Sequence, residues 1–353
     1  MPLLSVADRR PAALIAGAVL VLNGLGWGVL LLVVVPQQLS MGGSRVFGVG
    51  IGVTAFLLGV RHAFDVDHIA VIDNAVRKLV GERRRALDTG LWFALGHSTV
   101  VFALAMVIAA GVRAVIDPVQ DEGSTLRTSL GVLGTMAAGS FLIVLGLVNL
   151  SALLGIAHLY RHWRAGVFDE AALEHHLHRR GVVARLLSRF VGGVTKPWHV
   201  YPLGVLMGLG FDTATQVALL VLAGGGAAQA LPWYAVLVLP VLFAAGMVLF
   251  DGVDGAVMAR AYGWAYADPG RRLGYNLVVT SLSVAIALVL GAVLLLQLWN
   301  EQLQTSALGW SASIELGQMG FAVVGVFVAT WAAAVTWSRF RNRPSAAEST
   351  IAS

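Results

Sequence analysis

Apolar stretches of twenty or more residues, separated by short charged clusters, are the feature that most restricts how this chain can fold. A stretch of about 20 residues crosses about 30 Å of hydrocarbon as an α-helix. Only 12% of the 353 residues are charged, and the mean hydropathy is +0.79. We therefore predict an all-α, polytopic membrane protein with about eight transmembrane helices. The predicted spans are 11–35, 46–76, 89–112, 129–157, 199–223, 232–259, 276–299 and 314–337.

The basic residues indicate how these helices are oriented. Of the 24 lysines and arginines, 20 fall on the side of the N-terminus, and only Arg45, Arg113 and Arg127 fall on the other. Because basic residues concentrate on the cytoplasmic side, we predict an N-in and C-in orientation. The predicted organisation is one transmembrane domain over residues 1–353, with a cytoplasmic loop at 158–196 and a cytoplasmic tail at 338–353.

The composition also restricts the chemistry and the partners of the chain. It contains no cysteine, so disulfides and thiolate metal sites are excluded, and nine histidines and eight methionines remain as nitrogen and sulfur ligands for a transition metal. The net charge of +5 does not indicate nucleic-acid binding, because the basic residues are spread between the spans instead of forming a basic domain. The lipid bilayer is the partner that we expect.

Four polar clusters interrupt the predicted spans, where ionisable groups are energetically costly and commonly serve function. They are residues 61–68 in the second span, 96–99 in the third, 212–216 in the fifth and 251–254 in the sixth. A continuous second helix would place His62, Asp65 and His68 within one face of about 120°, with Asp67 on the far side. Two imidazoles and one carboxylate are then predicted to converge.

The fifth and sixth spans carry polar stripes of the same kind. Asp212 is followed by Thr215 and Gln216 at the i+3 and i+4 positions, which lie on one helix face. Asp251 and Asp254 lie one turn apart on the sixth span. Three different helices therefore present polar side chains within the predicted membrane region.

These clusters contain five carboxylates and one permanent positive charge, Arg61. Because buried acids need a partner or a metal ion, this deficit predicts a bound cation. Imidazole and carboxylate without thiolate suit Ni(II), Co(II), Zn(II), Fe(II) or Mn(II) better than Mg(II) or Ca(II), which prefer oxygen ligands. Two simpler roles compete with metal binding: a packing hydrogen bond for His97, and capping of a helix broken at Gly252 for Asp251.

At these clusters the sequence resembles the nickel/cobalt transporter family (NiCoT), single-component permeases for Ni(II) and Co(II). Residues 61–69, RHAFDVDHI, are similar to its second-span signature RHAxDADHI, and residues 96–101 repeat its GHSTVV element. Residues 209–216, LGFDTATQ, and 246–255, GMVLFDGVDG, are similar to its LGxDTATE and GMxxxDTxDG elements.

The resemblance implies that His62, Asp67 and His68 belong to the metal-recognition site and that His97 lies near it. With Asp65 added from the helix geometry, these five residues are the predicted metal ligands.

The resemblance also implies that the acids of the fifth and sixth spans line the transport path. Gln216 stands where the family has Glu, and Gly252 and Val253 depart from the sixth-span element, which weakens the transfer of roles to the neighbouring acids. The predicted path consists of Asp212, Thr215, Gln216, Asp251 and Asp254.

The expected activity is uptake of nickel or cobalt across the cytoplasmic membrane of a bacterium, as the resemblance implies. No GxxxxGK[ST] phosphate-binding loop occurs in the sequence, so we expect a secondary permease that needs neither an ATPase subunit nor a cofactor. The membrane potential would drive an inward divalent cation, and proton coupling is the other option. Efflux of the same metals is the alternative, because the residues of a permease site do not indicate the direction of transport.

A membrane di-iron enzyme is the alternative from a different functional class. Such enzymes use many histidines near the cytoplasmic face, whereas the motif-bearing spans contain only His62, His68 and His97. We therefore expect a transporter and not an enzyme.

The predicted cytoplasmic loop holds five of the nine histidines, namely His158, His162, His175, His176 and His178. Within it, residues 170–180 (EAALEHHLHRR) favour an amphipathic helix on an anionic lipid surface, with incidental histidines. The competing hypothesis is that the histidines bind metal as it leaves the membrane.

Overall fold

The computed structural model describes six long segments of the chain. They are residues 8–40, 46–110, 125–164, 194–208, 231–266 and 269–303, together with scattered positions between 323 and 336. Every long element in these segments is a helix, and none of them contains a β-strand. The all-α prediction is confirmed.

The described segments contain eight α-helices, which do not correspond one for one to the predicted spans. In chain order they are α1 (Arg9–Val29), α2 (Val49–Ala63), α3 (Val66–Gly81), α4 (Thr89–Ala109), α5 (Thr125–Arg164), α6 (Tyr201–Gly208), α7 (Trp233–Tyr266) and α8 (Pro269–Leu303). A π-helical turn, Leu30–Val34, and a 3-10 turn, Val35–Gln37, extend α1. Another 3-10 turn, Pro197–Val200, precedes α6.

Five of the helical segments are long and apolar enough to cross a membrane, and the bent pair α2 and α3 makes a sixth if it is one span. These six correspond to predicted spans one, two, three, four, six and seven. Some large apolar side chains point outward, such as Leu20 at 71% and Leu32 at 79% exposure, as expected of helices that contact lipid.

The predictions of eight spans and of cytoplasmic termini stay predictions. Most of the predicted fifth and eighth spans lies outside the described residues, as do residues 165–193 of the predicted cytoplasmic loop and the whole tail at 338–353.

Helix α7 is the centre of the larger helix group and packs against α1, α2, α3 and α4. Its middle is fully buried, with Leu239, Phe243 and Met247 at 0% exposure. The neighbouring helices approach its backbone closely at glycines. A Cβ atom at Gly59 would overlap the backbone of Phe243, and one at Gly90 would overlap the backbone of Asp251. Small residues permit this packing, which places α2 and α4 directly against α7.

Helices α5 and α8 form a second group and pack along each other. Gly139 and Gly146 of α5 face Leu295 and Leu288 of α8, where an added Cβ would be too close to the leucine side chains. This pair contacts α3 and α7 over shorter stretches. The described part of the molecule therefore consists of two helix groups joined along α3 and α7.

The second predicted span is not one continuous helix. It breaks between Ala63 and Val66 and bends by 53°. Asp65 has an extended backbone (φ −67°, ψ 142°) and occupies the N-cap position of α3, for which Asp is a favoured residue. The prediction of a straight helix over 46–76 is therefore wrong. The bend, and not a continuous helix, determines how residues 62–68 are oriented relative to one another.

Candidate metal centre

Three histidines converge where α2, α3 and α4 meet. His62 lies in the last turn of α2, His68 in the first turn of α3, and His97 in the middle of α4. Their ring centroids are 4.6 Å (His62–His68), 4.6 Å (His62–His97) and 4.9 Å (His68–His97) apart. One possible ligand atom from each lies within 4.8 Å of the other two. We call these three residues the histidine cluster.

Two carboxylates contact the histidine cluster. Nδ1 of His62 lies 2.8 Å from Oδ2 of Asp65, at the break between α2 and α3. Nδ1 of His68 lies 3.0 Å from Oδ2 of Asp251 on α7. When these carboxylates are ionised they only accept hydrogen bonds, so each Nδ1 then carries the hydrogen, and in a neutral ring Nε2 is the basic nitrogen.

The remaining polar atoms of the cluster are only partly satisfied. Nε2 of His62 lies 2.8 Å from Nε2 of His97. In contrast, Nε2 of His68 and Oδ1 of Asp251 are buried and have no hydrogen-bonding partner among the residues that the structure describes. Leaving such an atom unpaired costs about 1–3 kcal/mol, so each of the two is a place where a ligand would be stabilising.

Two aromatic rings pack against the histidine cluster. Phe93 contacts His68 edge-on at a centroid distance of 4.7 Å, and Phe243 lies 5.4 Å from His62. Both phenylalanines are fully buried. Electrostatic interactions within the cluster are therefore weakly screened by water.

The other predicted site residues lie in different positions. Asp67 is buried and accepts a hydrogen bond from the backbone N–H of His68, so it contacts the cluster through the main chain. Asp254 lies one turn after Asp251, and its Oδ2 atom is buried without a partner among the described residues. Arg61 is exposed. The predicted path residues of the fifth span, 212–216, lie outside the described residues.

A second polar group on α3 was not anticipated from the sequence. Asp73 is 1% exposed and accepts hydrogen bonds from the hydroxyls of Tyr262 on α7 and Ser283 on α8. We call these three residues the Asp73 hub. The available signal was an acid inside a predicted span, but neither of its partners is near it in the sequence.

Arg77 extends this group by one turn of α3. Its guanidinium donates hydrogen bonds to Oδ1 of Asn74 (2.7 Å), Oδ1 of Asn149 on α5 (2.8 Å) and Oγ1 of Thr280 on α8 (2.8 Å). Arg77 directly follows the predicted second span in the sequence, and in the structure it lies in α3 and connects this helix to α5 and α8.

The fold and the site define a class of protein: a multi-pass helical membrane protein that encloses a buried cluster of histidines and carboxylates. Residues 48–337 match the family model of the high-affinity nickel-transport proteins, and the chain belongs to this family. The matched range includes all four polar motifs. The resemblance to nickel and cobalt permeases is confirmed.

Individual relatives match over most of their length. The nickel transporter NicT of Mycobacterium tuberculosis is 49% identical over 334 residues, which cover 94% of this chain and 90% of that protein. The nickel transporter NixA of Staphylococcus aureus is 42% identical, covering 80% and 83%. The cobalt transport protein NhlF of Rhodococcus rhodochrous is 39% identical, covering 95% and 94%.

The family and these relatives are transporters, so the prediction that the chain is not an enzyme is confirmed. No solved structure shows a significant match to the chain.

Proposed function

We propose that this protein is a secondary permease that carries Ni(II) or Co(II) into the cell across the cytoplasmic membrane and binds the metal at the histidine cluster. The observation that carries the proposal is the convergence of three buried imidazoles, with one ligand atom of each within 4.8 Å of the others. The names of the relatives support the cargo, nickel for NicT and NixA and cobalt for NhlF.

The donor set suits this cargo. Imidazole nitrogens bind borderline metals such as Ni(II) and Co(II), and the chain offers no cysteine thiolate that would favour softer ions. Nitrogen ligands placed about 2 Å from one metal lie about 3 Å from each other. The observed spread of 4.8 Å therefore requires only a small closing movement to bring all three nitrogens onto one ion.

In this proposal Asp65 and Asp251 orient the imidazoles. Histidines that bind metals commonly donate their second ring N–H to a carboxylate, which fixes the tautomer and raises the basicity of the ligating nitrogen. Asp65 serves His62 in this way at 2.8 Å, and Asp251 serves His68 at 3.0 Å. Asp251 also keeps a second oxygen unpaired among the described residues, which is available to a cation.

Metal binding requires a change at His97. Because Asp65 holds the hydrogen on Nδ1 of His62, Nε2 of His62 accepts the 2.8 Å hydrogen bond and Nε2 of His97 donates it. A metal on Nε2 of His62 replaces this hydrogen bond, and His97 joins the coordination after it turns its ring or moves its hydrogen to Nδ1.

The membrane potential supplies enough free energy for uptake. A divalent cation that moves inward across ~100 mV gains roughly 4.6 kcal/mol, which corresponds to an accumulation of more than about a thousandfold. The selectivity for the metal comes from binding itself, in which the ion loses part of its hydration shell and gains imidazole nitrogens as ligands. The predicted path residues of the fifth span remain candidates for the route to and from the site.

The test is radioactive nickel and cobalt accumulation in cells that lack other importers. We expect the protein to raise accumulation in a saturable, potential-dependent manner, and His62→Ala to remove the increase at equal membrane abundance. His199→Ala is the matched control, because His199 lies in the 3-10 turn before α6 and its Nδ1 atom contacts Thr195. Reduced accumulation in cells that express the wild type would show efflux, and full transport by His62→Ala would refute the assigned site.

A further inference from the structure

Helix α3 connects the histidine cluster to the Asp73 hub. His68 and Asp73 are five residues apart on this helix, which corresponds to about 7.5 Å along its axis. In the same direction along α7, Asp251 contacts His68 and Tyr262 contacts Asp73. Side-chain hydrogen bonds therefore connect α3 and α7 at two positions, one at the histidine cluster and one at the Asp73 hub.

Because the chain breaks before α3, the hydrogen bonds at His68 and Asp73 are important for the geometry of the site. His62 lies on α2, and the chain bends by 53° between α2 and α3. The direction of α3 is therefore not set by the direction of α2. The distance between the His62 and His68 rings is consequently decided by what α3 contacts. The apolar face of α3 packs in the core, and the hydrogen bonds at His68 and Asp73 add two directional contacts that together hold the rotation of α3 about its own axis.

The Asp73 hub is hydrogen-bonded to the surrounding helices. Ser283 of α8 donates to Oδ2 of Asp73 at 3.0 Å, and Tyr262 of α7 donates to Oδ1. One turn further along α3, Arg77 contacts Asn149 of α5 and Thr280 of α8. Helix α3 is thus held by hydrogen bonds to α5, α7 and α8 together.

The hub is not itself arranged as a metal site. Both carboxylate oxygens of Asp73 accept a hydrogen bond from a hydroxyl group, and the hub contributes no imidazole, the ligand type that suits Ni(II) and Co(II). Any effect of the hub on the metal must therefore pass through the position of His68.

We propose that the Asp73 hub is a positioning site: by fixing the rotation of α3, it sets the distance of the His68 imidazole from His62 and His97. That distance determines the affinity of the site and its discrimination between Ni(II) and Co(II), because the two ions differ in preferred coordination geometry. The inference rests on the proposed function, since it takes the histidine cluster as the metal site.

Two mild variants test the role of the hub, and each has a matched control on the same helix. Tyr262→Phe removes one hydrogen-bond donor to Asp73; its control is Tyr234→Phe on α7, where the hydroxyl donates to the exposed Gln37. Ser283→Ala removes the other donor; its control is Ser281→Ala on α8, where the hydroxyl donates to the backbone of the same helix. Ser283→Thr keeps the hydroxyl and is the rescue variant.

The measurements use the full-length protein purified in lipid nanodiscs, with Ni(II) and Co(II) as the probes. We expect Tyr262→Phe and Ser283→Ala to weaken Ni(II) binding about five- to tenfold, less than the 10- to 100-fold loss typical of groups that contact a metal ligand directly. The visible absorption spectrum of bound Co(II) should shift in both variants, and the Ni-to-Co affinity ratio should change. The controls and Ser283→Thr should match the wild type.

A merely structural role predicts a different result. Hub variants that bind both metals like their controls, with an unchanged Co(II) spectrum and only a lower maximal transport rate or melting temperature, would overturn the positioning role. His68→Ala separates this failure from failure of the proposed function. If His68→Ala binds metal normally, the metal site itself is wrongly assigned; if it loses binding while the hub variants match the controls, only the positioning role is wrong.

Discussion

The histidine cluster and the Asp73 hub are two buried polar groups on the same helix, and they differ in how completely their hydrogen bonds are made. In the cluster, Nε2 of His68 and Oδ1 of Asp251 have no partner among the described residues. In the hub, both oxygens of Asp73 are paired with hydroxyls. Because an unpaired buried atom is costly, the first pattern indicates a place reserved for a ligand and the second indicates a permanent connection between helices.

The largest effect should come from removing a cluster imidazole. His68→Ala deletes the nitrogen that lacks a partner and leaves Asp251 as a buried, unpaired carboxylate. We expect nickel uptake to fall to the background of cells without the transporter. Uptake should be measured with radioactive nickel at membrane abundance matched by immunoblot. Saturable uptake above one tenth of the wild-type rate would contradict the assignment of this imidazole as a ligand.

The second effect contrasts one carboxylate from each polar group. Asp251→Asn keeps the shape of the side chain but removes the charge that holds the hydrogen on Nδ1 of His68, so we expect about 10- to 100-fold weaker nickel binding. Asp73→Asn should weaken binding less, because Asp73 touches no imidazole. Titration of the purified proteins with Ni(II) measures both. A greater loss with Asp73→Asn than with Asp251→Asn would reverse the proposed order of the two groups.

A smaller and different effect is expected from the helix contact behind the cluster. A Cβ atom at Gly90 would overlap the backbone of Asp251, so Gly90→Ala must push α4 away from α7. We expect a loss of stability of about 1–3 kcal/mol, visible as a lower thermal unfolding temperature in detergent. Gly50→Ala is the control, since nothing lies within 4 Å of the added atom. Equal melting temperatures for the two variants would show that α4 tolerates the displacement.

The smallest effect is expected in the predicted cytoplasmic loop, far in sequence from both groups. Changing His175, His176 and His178 together to Gln removes three imidazoles and preserves side-chain size. We expect the uptake rate and the half-saturating nickel concentration to stay within about twofold of the wild type, as for histidines that only lie on a lipid surface. A large drop in velocity at normal expression would instead assign the loop to metal release.

The helical class and most of the described spans could be predicted because each depends on local sequence. A run of apolar residues specifies a membrane helix without reference to the rest of the chain, and RHAFDVDHI places two histidines within seven residues. The convergence of His62 and His68 was predicted from a straight helix, but the structure achieves it through a bend at Asp65. The pattern indicated the right pair of residues for the wrong geometric reason.

The partners of these residues could not be predicted, because they come from distant parts of the chain. Asp251 meets His68 across 183 positions, and Ser283 meets Asp73 across 210. Such pairings depend on which helix faces which, and a single sequence has no local signal for that choice. Arg77 is a related case, because nothing local in the sequence indicates that it contacts Asn149 of α5 and Thr280 of α8.

The break in the second span also shapes the electrostatic field at the histidine cluster. A helix carries about half a unit of negative charge at its C-terminal end and about half a unit of positive charge at its N-terminal end. Helix α2 ends at Ala63, beside His62, and therefore presents its negative end to an arriving cation. The positive end of α3 is offset by Asp65 at its N-cap and Asp67 in its first turn. Because these acids offset the positive end of α3, the C-terminal end of α2 adds a partial negative charge beside His62, which would favour the divalent cation of the proposed function.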